Sequence, residues 1–270
     1  MKKLISYVTV FLLVCSTVTV FLGQPSQRVH AAKNSNVKEF NVEEFFNDKN
    51  GTFVLRDMKT GKTLFYNKER AQTRFAPQST FKIPNSLIGL QVGAVRDEYD
   101  IKYWDGEKRE IEEWNRDHTL GSALRYSVVW YYQEMARDIG NDRMKEWIEK
   151  ISYGNKDISG GIDQFWLSSS LRISPLEQVN FIEKLYKEEL PFDLDVMRTV
   201  KRMMVQKEGR NYTIHAKTGQ GNELGWYVGY VEREGHDYAF AVNLEGTSAE
   251  AKQITEKVLQ KYELIASNNS

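Results

Sequence analysis

The stretch NYTIHAKTGQGNELGWYVGYVEREGHDYAFAVNL, residues 211–244, decides the fold. Asn211 to Lys217, Gly225 to Glu232 and Tyr238 to Leu244 are rich in β-branched and aromatic residues and predict three strands. Gly219-Gln220-Gly221-Asn222 and Arg233-Glu234-Gly235-His236 read as the hairpin loops between them. Downstream, Ser248 to Ile265 carries Ala251, Ile254, Val258 and Leu259 at helical spacing. Far upstream, Gly51 to Arg56 and Lys62 to Asn67 predict two more strands around the turn Asp57-Met58-Lys59-Thr60-Gly61. The chain between these groups is mostly helical in pattern: Leu87 to Val95, Leu120 to Ile139, Asp142 to Ile151 and Pro175 to Lys187. The expectation is an α+β fold. An antiparallel sheet is drawn from both chain ends (about 51–80 and 205–270) and covered by the terminal helix, with a helical part (about 85–204) inserted. A groove is expected where the sheet edge meets the helical part.

The first residues stand apart from this plan. Met1-Lys2-Lys3 is basic, Leu4 to Leu22 is apolar with scattered hydroxyls, and Val29-His30-Ala31-Ala32 suits cleavage after small residues. Residues 1–31 therefore read as a signal peptide and 32–270 as a single catalytic domain, exported to the cell envelope or secreted. An uncleaved membrane anchor is the rival reading; after cleavage no stable membrane contact is expected. The only cysteine, Cys15, falls in the apolar run, so the mature chain holds neither a disulfide nor a thiolate. Cleavage removes Lys2, Lys3 and Arg28 from the 37 basic residues and none of the 37 acidic ones. The slight acidic excess that remains carries no electrostatic footprint for nucleic acid. Monomer and homodimer both stay open.

Chemistry enters through three short motifs: Ser79-Thr80-Phe81-Lys82, Ser127-Val128-Val129 and Lys217-Thr218-Gly219. Two of them occur twice. Ser35 and Lys38 share the first spacing in a polar start, and Lys59-Thr60-Gly61 repeats the third in a hairpin. Position separates the copies. Pro84 is tolerated only near a helix start, so Ser79 falls at or within a first turn, with Lys82 on the same face. Ser79 could simply cap that helix and Lys82 could be a surface lysine. Against this, Lys82 lies between Phe81 and Ile83, and a lysine turned toward a core must be neutral, modified or paired. A serine hydroxyl needs a base to act as a nucleophile. His30 leaves with the signal; His118, His215 and His236 read as loop, strand and turn residues outside any triad context. No metal-ligand spacing occurs, which leaves Lys82 as the candidate base and no metal.

These residues resemble the class D (oxacillinase-type) serine β-lactamases. The three motifs stand in family order with Trp104-Asp105-Gly106, Trp114-Asn115-Arg116-Asp117-His118, Tyr153-Gly154-Asn155, Phe165-Trp166-Leu167 and Gly225-Trp226-Tyr227-Val228-Gly229. The resemblance spans about Gly51 to Leu264. It implies a serine β-lactamase and penicillin-binding-protein-like fold, and hydrolysis of penicillin-type β-lactams through a Ser79 acyl-enzyme. It implies that Lys82 is N-carboxylated by CO2, needs no other cofactor, and serves as general base, with Trp166 hydrogen-bonding the added group and Val129 shielding it. Ser127 would relay a proton to the departing nitrogen, and Lys217, Thr218 and Gly219 would line the substrate site. The backbone N–H groups of Ser79 and Gln220 would form the oxyanion hole. Tyr153-Gly154-Asn155 would be a structural turn at the cleft border.

One departure stands out. The family places an arginine near the start of the last helix to grip the substrate carboxylate, and Ala251 stands there, with Lys252 beside it. Lysine lacks the planar fork of arginine, so Lys252 would be a weaker clamp and Lys217 with Thr218 would carry more of the contact. Two slower-turnover alternatives share the motifs: a D,D-peptidase and a β-lactam sensor domain, each of which acylates and deacylates slowly.

Overall fold

The computed structural model describes residues 37–266. The proposed signal peptide and the tail Ser267 to Ser270 lie outside them. In chain order the elements are β1 (Val37–Glu39), β2 (Gly51–Asp57), β3 (Thr63–Tyr66), α1 (Lys68–Gln72), α2 (Lys82–Gln91), β4 (Ile101–Lys102), β5 (His118–Thr119), α3 (Leu120–Arg125), α4 (Val129–Ile139), α5 (Asn141–Lys150), α6 (Pro175–Tyr186), α7 (Leu194–Met203), β6 (Val205–Glu208), β7 (Tyr212–Gly221), β8 (Leu224–Arg233), β9 (Tyr238–Leu244) and α8 (Ser248–Lys261). Seven strands form one sheet in the order β1-β3-β2-β9-β8-β7-β6. The two ends of the chain meet where β2 pairs with β9, from Gly51 opposite Leu244 to Asp57 opposite Tyr238. Every pair is antiparallel except the edge pair β1–β3.

The two-residue period of the strands divides the core. Phe53, Leu55, Tyr227, Val231, Phe240 and Val242 face one way and pack under Ile254, Val258 and Leu259 of α8. Val54, Trp226, Val228, Tyr230, Ala239 and Ala241 face the other way and share a second core with α2, α4 and α6. Burial on both faces explains why these strands read as near-continuous apolar runs. Local signals set the helix starts. Ser174 with Glu177 and Thr247 with Glu250 form reciprocal capping boxes, and Pro175 takes the first turn of α6.

Four expectations change in the structure. The strand predicted to end at Lys217 continues to Gly221, paired residue by residue with β8 as far as Leu224. The loop expected at Gly219-Gln220-Gly221-Asn222 shrinks to Asn222-Glu223, because backbone pairing does not depend on side-chain alternation. The helix expected over Leu120 to Ile139 is two helices, parted at Ser127, which has a left-handed φ of 57°. Apolar spacing runs through that break unchanged, so the pattern could not reveal it. The terminal helix ends at Lys261 rather than Ile265, and α2 ends at Gln91 rather than Val95. The sequence reading missed β1, β6, α1 and α7, although Met197, Val200 and Met204 recur at three- and four-residue steps along α7.

Candidate active site

Residues ahead of Ser79 are held on three sides. Phe75 exchanges backbone hydrogen bonds with Ile173, at 2.9 and 2.8 Å. The Trp226 indole donates to the Ala76 carbonyl at 3.0 Å. The Pro77 carbonyl accepts the Thr80 hydroxyl at 2.6 Å. A 3-10 turn then runs from Gln78 to Phe81 and passes into α2 at Lys82. In a 3-10 turn residues three apart lie over one another. Ser79 is therefore not a cap but part of that turn, and Lys82 Nζ lies 2.8 Å from its Oγ. Lys82 is fully buried beside the Tyr132 ring, 5.3 Å from its centroid. Burial, reinforced by the positive charge of Lys217, pushes the Lys82 amine well below the ordinary lysine range.

The left-handed turn at Ser127 presents that residue to the sheet. Lys217 is 3 % exposed and points its Nζ at Ser127 Oγ, 3.0 Å away, and at the Thr218 carbonyl and hydroxyl, 3.0 and 3.2 Å away. Burial brings the Lys217 amine down to about 7. Two hydroxyls each paired with a lysine thus share one junction between the sheet and the helical part. Gly219 closes it. A Cβ there would lie 3.0 Å from both the Pro77 carbonyl and Thr80 Cγ2, so glycine lets β7 approach the serine turn without displacing either.

Trp166 is fully buried, and its ring stacks on Phe81 at 5.4 Å. Its carbonyl accepts the Gln78 backbone N–H at 3.1 Å, which ties it to the serine turn. Its indole Nε1 is buried with no hydrogen-bond partner. Val129 is half-buried at the start of α4, next to Ser127. Gln220 is exposed, and its Oε1 accepts the Ser248 backbone N–H at 2.6 Å, joining the end of β7 to the start of α8. Ala251 is buried in the core beneath α8, and half-buried Lys252 makes neither a hydrogen bond nor an ion pair among the described residues. Lys252 is thus the candidate that the structure ties to no other site residue.

Sequence reasoning missed the support behind this site. Gln178 donates to Thr80 Oγ1 at 2.9 Å and accepts from the Tyr153 hydroxyl at 3.2 Å. Ser86 donates to the Lys82 carbonyl and pairs with the Tyr132 hydroxyl, both at 2.8 Å. Gln78 is also 4 % exposed with φ 53°. Their one legible signal was polarity at otherwise apolar helix positions. Tyr153-Gly154-Asn155 is a structural turn, with Asn155 bonded to the Arg172 backbone in both directions. The histidines serve structure too. His118 bonds Ser122 and the Glu113 carbonyl, while His215 stacks on Tyr230 and bonds Glu232.

The family model described as penicillin binding protein transpeptidase domain matches residues 51–262. A probable β-lactamase, YbxI, from Bacillus subtilis (strain 168) is 58% identical over 247 residues, covering 88% of this chain and 92% of its own. β-Lactamase OXA-48 from Klebsiella pneumoniae is 39% identical over 256 residues, covering 92% of this chain and 96% of its own. Among solved structures, BPu1 β-lactamase superposes with a TM-score of 0.84 at 63% identity, over 85% of this chain and 99% of that one. The class D β-lactamase BAT-2 superposes with a TM-score of 0.83 at 61% identity, over 84% of this chain and 98% of that one.

Proposed function

The chain belongs to the class D β-lactamase family, and from that premise we propose how its residues open the β-lactam ring. It is a serine β-lactamase: it hydrolyses penicillin-type antibiotics and so confers resistance. The observation that carries the proposed mechanism is the buried Lys82 amine 2.8 Å from Ser79 Oγ. An amine in that setting is held in its neutral form, the form that takes up CO2 with loss of one proton. The unpartnered Trp166 Nε1 supports the same reading, since a buried indole N–H without an acceptor costs free energy that a carboxyl group on Lys82 would recover. That group would supply the base for both the serine and the hydrolytic water. Ser79 Oγ attacks the lactam carbonyl, with the Ser79 and Gln220 backbone N–H groups receiving the oxyanion. Ser127 Oγ, 3.0 Å from Lys217 Nζ, passes a proton to the departing nitrogen. Lys217 and Thr218 receive the substrate carboxylate, with Gly219 allowing the strand its close approach and Val129 limiting water at Lys82. Lys252 is a secondary cation for that carboxylate.

A chromogenic β-lactam tests this with the purified protein. Rapid turnover, lost in CO2-free buffer at mildly acidic pH and restored by bicarbonate, is the expected result. A persistent covalent adduct without turnover would instead support the slow-deacylating alternatives. Export is also proposed: the envelope-associated or secreted protein should begin near Ala32 on N-terminal sequencing, and retention of Met1 would point to an anchor.

A further inference from the structure

We propose that Gln78 is a positioning residue that holds the Trp166 segment beside Lys82 and thereby sets how readily Lys82 keeps its carboxyl group. This rests on the carboxylated-lysine reading above. The Trp166 indole N–H makes no hydrogen bond, so nothing polar in the chain fixes that ring. Its position depends on packing against Phe81 and on the backbone of residues 166–168. Gln78 grips that segment at two points, one on the backbone and one on a side chain. Its own N–H donates to the Trp166 carbonyl at 3.1 Å, and its side-chain Nε2 donates to Ser168 Oγ at 2.5 Å. The opposite side of the amide packs on β7, where a Cβ at Gly221 would come within 2.6 Å of Nε2. One flat side chain therefore sits between the Trp166 segment and the strand bearing Lys217.

The backbone shows that this placement is enforced. Gln78 has φ 53° and Ser168 φ 57°, left-handed conformations that are uncommon for non-glycine residues. The two strained residues are the two partners of the hydrogen bond. Gln78 is also 4 % exposed, so its amide would be left without solvent if the Ser168 bond were lost.

Ser168→Ala removes the acceptor from an exposed residue and leaves position 78 untouched. Gln78→Gly removes the side chain and suits the left-handed φ. Both variants and the unaltered protein would be titrated with 13C-bicarbonate, reading the lysine carbamate resonance by NMR. Single-turnover acylation at saturating bicarbonate would be measured alongside. Loss of one net hydrogen bond predicts that half-saturating bicarbonate rises about 2- to 12-fold in both variants. Acylation should stay within about twofold. Superimposable titrations in the unaltered protein and a folded Ser168→Ala variant would overturn the role of Gln78 alone. Absence of any carbamate signal in the unaltered protein would overturn the lysine reading and this inference with it.

Discussion

At the residue scale, the site works by burying charge-capable groups that water would otherwise saturate. Trp166→Phe keeps the ring on Phe81 and deletes only the unpartnered N–H. A hydrogen bond to a charged group is worth about 1.5–3 kcal/mol, so the carboxyl group should need about 10- to 100-fold more CO2 to persist. Acylation would slow and hydrolysis would slow further, so that the acyl-enzyme accumulates with excess substrate, visible by mass spectrometry; unchanged turnover would remove Trp166 from the mechanism. Lys217 governs the alkaline side of the pH profile. Its amine, brought to about 7 by burial, loses its charge as pH rises through that value. A bound carboxylate favours the ammonium and moves the transition upward. KM for a carboxylate-bearing β-lactam should therefore rise at alkaline pH, while an ester analogue shows no such rise. On the acid side, protonation of Lys82 removes the amine that takes up CO2, so activity falls there as well.

At the element scale, two local departures from regular structure assemble the site. The break at Ser127 swings one hydroxyl toward Lys217, and the 3-10 turn at Gln78–Phe81 stacks Lys82 over Ser79. Neither is visible as periodicity, because apolar spacing continues through both. The glycine of Lys217-Thr218-Gly219 is different: its role was legible as a motif, and its reason is steric. Gly219→Ala would force β7 from the Pro77 carbonyl and Thr80 by a few tenths of an ångström. Misplacements on the order of 1 Å can cost about 100-fold, so a shift of this size should lower kcat/KM about fourfold with the thermal midpoint little altered. Full activity in that variant would show that the strand can relax without disturbing Ser79.

At the scale of the whole molecule, the sheet separates stability from chemistry. Leu259 of α8 packs on the face carrying Tyr227, Val231 and Phe240, while Lys217 and Val228 face the other core. Leu259→Ala should cost about 2–5 kcal/mol, read as a shift in the urea midpoint. Its kcat/KM at a temperature where the protein stays folded should be unchanged. A large loss of activity there would mean that α8 couples to the site, through the Gln220–Ser248 hydrogen bond that links them.

The sequence by itself determined the α+β plan, the sheet built from both chain ends, and the motifs that single out Ser79, Lys82, Ser127 and Lys217, which the structure pairs. Strand composition, apolar spacing and short motifs are local, and local signals survive in one dimension. Only the tertiary structure decided that Lys82 is buried against Tyr132, that Ser127 leaves the helix, that Trp166 carries an unpartnered N–H, and that its carbonyl accepts the Gln78 N–H. Each of these depends on desolvation or on a left-handed backbone imposed by neighbours far away in sequence. The same holds at the start of the last helix: Ala251 belongs to the core beneath α8, while half-buried Lys252 makes neither a hydrogen bond nor an ion pair among the described residues, because packing and not sequence order settles which side chain is covered.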